Sequence, residues 1–272
     1  MIRMPVLAPL ATVILLGSSS AFAQLPDTSS VLPTPTLVNG VLTVGGTVLQ
    51  PDDAATQEEL PGIGHKFELF GSMIMDTDPE NASGNSGNSG GGAGGNETIS
   101  AVTAPGAMAF AYRSLPPGID VRSLTNQIGL KYYFVAPRTC FAGSPRITLL
   151  IDSDGDGDTD FAAHGHVNPG GNFTACVANK WKYEDLTDDL PRWEVTGASI
   201  PGIVPNVYMP WKPFAAAIAA ARPFHKVRAG FLLDGESCQF APSGATCGKA
   251  YYDLLTLENR TLEIWQDAVK QQ

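Results

Sequence analysis

Ile147-Thr-Leu-Leu-Ile-Asp-Ser-Asp-Gly-Asp-Gly-Asp-Thr-Asp-Phe-Ala-Ala163 places two apolar, extended runs on either side of a loop with five carboxylates, Asp152, Asp154, Asp156, Asp158 and Asp160. Neighbouring carboxylates roughly 5 Å apart repel by about 3 kcal/mol per pair at an effective dielectric of about 20, so a rigid cluster needs protons, solvent or a cation. With Asp152 at position 1 of a calcium loop, Asp154 falls at 3, Asp156 at 5, Gly157 at 6, Asp158 at 7 and Asp160 at 9. That spacing opens an EF-hand loop, but Ala163 stands at position 12, where a hand carries its bidentate Glu. The flanks are also extended rather than helical. The stretch is therefore expected to be a connection between two strands, pinned by one cation.

Hard oxygen ligands select Ca2+ over softer metals. Asp152, Asp154, Asp156 and Asp160 are expected to bind it through side chains and Asp158 through its carbonyl, with a distant acid or water completing the shell. The bland alternative is a solvated acidic turn, because Asp-Gly pairs make turns without any metal.

Strand-like runs recur on both sides of the loop, at 99–103, 107–113, 128–135, 147–152, 227–233 and 251–257, separated by turn residues. Lys66 to Ile74 alternates as a further strand, and Asn39-Gly40 followed by 41–44, Gly45-Gly46 and 47–49 has the pattern of a short hairpin. Two segments look helical: Asp120 to Asn126, which opens on an N-capping residue, and Pro213 to Ala221, with Pro in the first turn and an Ala run behind it. Many short strands and few helices predict a mainly β fold, an antiparallel β-sandwich of jelly-roll type, as a single domain over residues 39–265. Residues 24–38 are expected to be a flexible Pro/Ser/Thr-rich leader, 81–96 a disordered Gly/Ser/Asn-rich loop and 266–272 a C-terminal tail.

Residues 1–23 have the marks of a secretory signal peptide: Arg3, an apolar stretch from Val6 to Leu16, and Ala21-Phe-Ala23 before Gln24. No later apolar run is long enough for a transmembrane anchor, so the product is expected to be secreted, whether periplasmic, extracellular or at the cell surface. A net charge of −10 over 272 residues argues against nucleic acid or anionic lipid as partners. In an oxidising compartment the four cysteines are disulfide candidates. Cys238 and Cys247 share one loop and need only a local turn to pair; Cys140 with Cys176 would then close a loop around the acidic stretch. No C-x-x-C redox motif is present.

The loop resembles the D-x-D-x-D-G-x-x-D calcium loops of thrombospondin type 3 repeats and dockerins, though as a single copy between strands. A longer string runs from Cys140-Phe-Ala-Gly-Ser-Pro-Arg146 through the Asp-Gly-Asp-Gly run to Cys176, Trp181 and Tyr251-Tyr-Asp253 before Leu255-Thr-Leu257. It resembles a pattern of uncharacterised bacterial and archaeal secreted proteins, in which a C-x-G-G-S-P-R strand leads into D-x-D-G-D-G. The resemblance spans roughly residues 107 to 257. It implies a β-sandwich on an exported surface protein and implies no reaction.

Other chemistry has weaker signals. His164-Gly-His166 presents two imidazoles on one strand face, a spacing metal sites use, with His65, His225 or a carboxylate as a third ligand. No third ligand is fixed by spacing, so exposed or hydrogen-bonded histidines are expected. Neither G-x-S-x-G nor H-E-x-x-H occurs, and paired carboxylates for glycoside cleavage would come from Glu184, Asp185, Asp188, Asp189 or Glu194. Trp181, Tyr183, Trp193, Tyr208 and Trp211 cluster in sequence; Trp181, Trp193 and Trp211 are candidate stacking platforms for sugar rings, or else core residues. The combined expectation is a secreted, calcium-binding, non-enzymatic surface or matrix protein that binds polysaccharide or self-associates. The competing expectation is an exported carbohydrate-active hydrolase with a structural calcium.

Overall fold

The computed structural model describes residues 35–38, 41–44, 47–49, 56–59, 66–71, 73–77, 97–103, 109–125, 128–138, 140, 145–168, 176–205, 207–234, 248–257 and 261–262. The expected signal peptide, the 81–96 insert, the C-terminal tail and Cys238 with Cys247 lie outside these residues.

Two antiparallel sheets pack face to face as a β-sandwich. The larger has seven strands in the order β13 (Trp193–Thr196), β11 (Phe161–His166), β10 (Arg146–Asp152), β14 (Lys226–Asp234), β8 (Ala109–Asp120), β5 (Lys66–Gly71) and β4 (Thr56–Glu59). The smaller runs β12 (Lys182–Asp185), β9 (Ile128–Phe134), β15 (Gly248–Leu257), β7 (Glu97–Thr103) and β6 (Met73–Thr77), with β16 (Thr261–Leu262) pairing β15. The chain changes sheet at most of its connections, so each sheet is assembled from strands distant in sequence. One buried cluster fills the space between them. It takes Ala109 and Ala111 from β8, Ile147, Leu149 and Ile151 from β10, Leu130, Tyr132 and Phe134 from β9, and Ala250, Tyr252 and Leu255 from β15. Gly230 on β14 lets the sheets approach here, because a Cβ at that position would come within 2.4 Å of Leu257 Cδ2 in the facing sheet and force that side chain to move.

A third sheet is made of β1 (Pro35–Val38), β2 (Val41–Val44) and β3 (Thr47–Leu49). Its Leu37 joins Tyr112, Leu150, Ala162, Ala229, Phe231 and Leu233 in a second buried cluster, on the side of the large sheet away from the main core. Pro35–Val38 was expected to belong to a flexible leader, and the pairing Val38↔Val41 corrects that. β2 pairs antiparallel with β1 on one side and with β3 on the other, so the expected β2–β3 pair gains a third strand from Pro35–Val38.

Lys66 to Ile74, expected as one strand, is divided at Gly71 and Met73 between the two sheets. The helix expected from Asp120 is only a single 3-10 turn, Val121–Ser123. Asp120 Oδ1 accepts from the Arg122 N–H, two residues on, which holds a tight turn rather than a longer helix. The second expected helix forms as α1, Trp211–Ala221. Pro213 occupies its third position, where the N–H would have no intrahelical partner in any case. Trp211, Phe214, Ala215 and Ile218, at i, i+3, i+4 and i+7, are its buried face. Among the described residues no helix is long and apolar enough to cross a membrane.

Candidate metal centre

β10 ends at Asp152, and the chain re-enters the sheet at Phe161, so the acidic stretch is the loop of a hairpin in the middle of the large sheet. Its bend depends on two glycines in the left-handed region, Gly155 at φ +92 and Gly157 at φ +99. A ladder of side-chain to backbone bonds then winds the loop inward. Asp152 Oδ1 accepts from the Gly155 N–H at 2.7 Å, and its Oδ2 from the Gly157 N–H at 3.1 Å. Asp154 Oδ1 accepts from the Asp156 N–H at 3.1 Å, and Asp156 Oδ1 from the Asp158 N–H at 2.8 Å. As a result, one carboxylate oxygen from each of Asp152, Asp154 and Asp156 falls within 4.8 Å of the others.

Asp152 is fully buried, and Arg228 of β14 reaches its Oδ2 with Nε at 2.9 Å and Nη2 at 2.6 Å. Burial acts to raise the Asp152 carboxyl, but the Arg228 hydrogen bonds, followed by those from the loop N–H groups, outweigh it and hold the group below the usual carboxylate range. Asp152 is thus a buried anchor already in contact with one cationic side chain. Asp154 and Asp156 are exposed, and their Oδ2 atoms carry no hydrogen bond among the described residues. Asp152 Oδ1, by contrast, already accepts from the Gly155 and Asp154 N–H groups.

Asp160 is not part of this group. Its Oδ2 turns back to accept from the Ser153 N–H at 2.6 Å and the Ser153 hydroxyl at 2.7 Å, closing the neck of the loop. Asp158 enters through its N–H bond to Asp156. The loop also grips the N-terminal sheet. Leu37 donates to Thr159 Oγ1 at 2.9 Å, while the Thr159 N–H and hydroxyl both donate to Leu37 O.

The other nominated groups fall in four places. Cys140 and Cys176 form a disulfide, so the crosslink around the loop is present. Trp193 and Trp211 are buried in the core with ring centroids 4.5 Å apart, and Trp193 Nε1 donates to Leu186 O at 2.6 Å. Neither can be a stacking platform. The inward aim of Trp193 follows from β13, where Glu194 and Thr196 take the opposite face, and from Gly165, whose missing Cβ leaves room for the indole, while Trp211 belongs to the buried face of α1. Trp181 remains partly exposed, packed edge-on against Tyr133.

His164 and His166 lie on one face of β11, as their spacing predicts, but each is hydrogen-bonded. His164 sits between Thr148 Oγ1 at 2.9 Å and Thr196 Oγ1 at 2.8 Å, and His166 Nε2 meets Glu194 Oε1 at 2.9 Å. Burial first, and then Arg146 and His166, hold the His164 imidazole well below its ordinary range, so it stays neutral. Of the carboxylates considered for glycoside cleavage, Glu184 and Asp188 are both held by Arg192, at 2.8 and 2.9 Å.

Arg228 was not legible as part of the loop, since 76 residues separate it from Asp152. No family model matches the chain, and no curated protein or solved structure matches it either.

Proposed function

We propose that this chain is a secreted, non-enzymatic, calcium-binding protein of the cell surface or extracellular matrix, which binds polysaccharide or associates with itself. The calcium part rests on one observation: carboxylate oxygens of Asp152, Asp154 and Asp156 lie within 4.8 Å of one another on a loop bent by Gly155 and Gly157. A bound cation would offset the repulsion between Asp154 and Asp156 and fix the hairpin tip, with no step of chemistry attached. The N-terminal signal-like segment and the Cys140–Cys176 crosslink support export to an oxidising, calcium-rich exterior. The likeness to uncharacterised secreted proteins over roughly residues 107 to 257 belongs to the same proposal.

Calorimetric titration of the purified protein with Ca2+ tests it. The expected result is binding heat with a Kd of about 10⁻⁴–10⁻³ M, the range of extracellular modules, and a melting temperature raised by a few degrees at several-fold excess over Kd. Asp154→Ala and Asp156→Ala should abolish both effects. No heat at millimolar Ca2+ together with an unchanged melting temperature would refute the calcium assignment.

A further inference from the structure

The N-terminal sheet is a unit that closes on itself. β1 pairs with β2 from Pro35↔Val44 to Val38↔Val41, and β2 pairs with β3 from Leu42↔Leu49 to Val44↔Thr47. Among the described residues, none of these three strands pairs with a strand of the sandwich. The Thr36 and Thr43 hydroxyls add a bond of 2.6 Å inside the unit. Its hold on the sandwich centres on one residue. Leu37 seats its side chain among Tyr112, Leu150, Phe231 and Leu233, its N–H donates to Thr159 Oγ1, and its carbonyl accepts from the Thr159 N–H and hydroxyl. Val38 beside it is 45 % exposed, so β1 docks by one side only.

Every strand of the sandwich follows this unit in sequence, so the single connection between the two is Gln50 to Ala55. Leu49 and Thr56 are seven Cα–Cα steps apart, a reach of at most about 25 Å. β4, where the connection arrives, is the edge strand of the large sheet and stands four places from β10, about 19 Å away. A connection of that length has little slack for returning the unit to its own sandwich.

We infer that two copies of this chain exchange their N-terminal sheets, residues 35–49 of each seating Leu37 against Tyr112, Leu150, Phe231 and Leu233 of the other. The seat itself names the occupant: the exchanged contact is the one already made within a single chain, so no new complementarity has to be supplied. Short connections favour exchange because straightening them relieves the strain of folding back. Reciprocal exchange fills both seats, so assembly stops at a two-fold dimer. The chain carries a net charge of −10, but exposed charges more than about 8 Å apart are largely screened at physiological salt, so repulsion between copies is weak. The inference rests on the self-association part of the proposed function and needs no calcium.

Size-exclusion chromatography with light scattering tests it, on the full-length protein refolded from urea in chelator, without reductant. Refolding at about 1 μM should give monomer, whereas refolding at about 0.5 mM, close to the effective concentration of a unit on a short tether, should give a dimer fraction. That dimer should survive dilution back to the lower concentration, because both seats must open before the copies part. A Gly/Ser insertion of about ten residues after Gln50 should cut the dimer fraction by about tenfold, and Leu37→Asp should remove it while the far-ultraviolet circular dichroism is kept. If Leu37→Asp fails to fold, the insertion decides. Monomer alone at the higher concentration overturns the inference together with self-association. A dimer that the insertion leaves unchanged, or that parts at once on dilution, overturns exchange and leaves self-association through another surface.

Discussion

Asp152 pairs with Arg228 on one side and faces the carboxylates of Asp154 and Asp156 on the other. Removing one partner of a buried ion pair leaves a charge without compensation, which costs about 3 kcal/mol or more. Arg228→Gln should therefore lower stability by about that amount in chelator, as read from urea denaturation. Added Ca2+ should restore part of the loss, and restore more than it adds to wild type, because the cation then takes over the neutralisation of Asp152. An equal effect of Ca2+ on both proteins would mean that Arg228 and the metal do not share this carboxylate. The sequence displayed the five aspartates and both glycines, because those residues are local. It concealed Arg228, which belongs to a different strand, and it concealed the turning of Asp160 onto Ser153, because a D-x-D spacing does not distinguish a ligand from a side chain that closes a turn.

At the scale of elements, β10, β11 and β13 hold the buried His164 between buried Thr148 and half-buried Thr196 on the side of the sheet away from the main core, with Arg146 and His166 beside them. The imidazole between the two threonines stays neutral when folded. In the unfolded chain it takes up a proton near its ordinary pKa of 6.5. Below that pH the unfolded state binds a proton that the folded state refuses, so stability should fall as pH drops from about 6.5 toward the lowered folded value, and level off above it. Asp120 and Asp152, both held below their ordinary 3.8, lose their contributions only at more acid pH. Denaturant midpoints between pH 7 and 4.5 should therefore decline in wild type and run flatter in His164→Gln. The strands themselves were largely legible, since Ile, Val and Tyr runs bounded by Gly and Pro leave few alternatives. Which face each side chain takes was not. Trp193 alternates inward with Val195 only because of the sheet on which β13 lands, and the break between Gly71 and Met73 is a change of sheet that no local propensity encodes.

For the whole molecule, the Cys140–Cys176 crosslink spans a separation of 36 residues that contains β10, the acidic loop and β11. On the chain-entropy estimate, closing a loop of that length stabilises the folded state by about 3 to 4 kcal/mol. The double variant Cys140→Ala/Cys176→Ala should shift the denaturation midpoint by a corresponding amount, and an unchanged midpoint would remove the crosslink from the account of stability. The contact of Thr159 with Leu37, 122 residues away, reaches further still. Thr159→Ala removes two of its three hydrogen bonds, and limited proteolysis should then release the segment around residues 35–49 sooner than in wild type. The same contact dictates an order of events. Pro35–Val38 is among the earliest parts of the sandwich to be made, yet its seat on Leu150, Phe231 and Leu233 exists only once β14 has joined the sheet. A newly made chain must therefore carry an uncovered oily surface through most of its assembly, and the closing of the acidic hairpin against Leu37 ends that exposure.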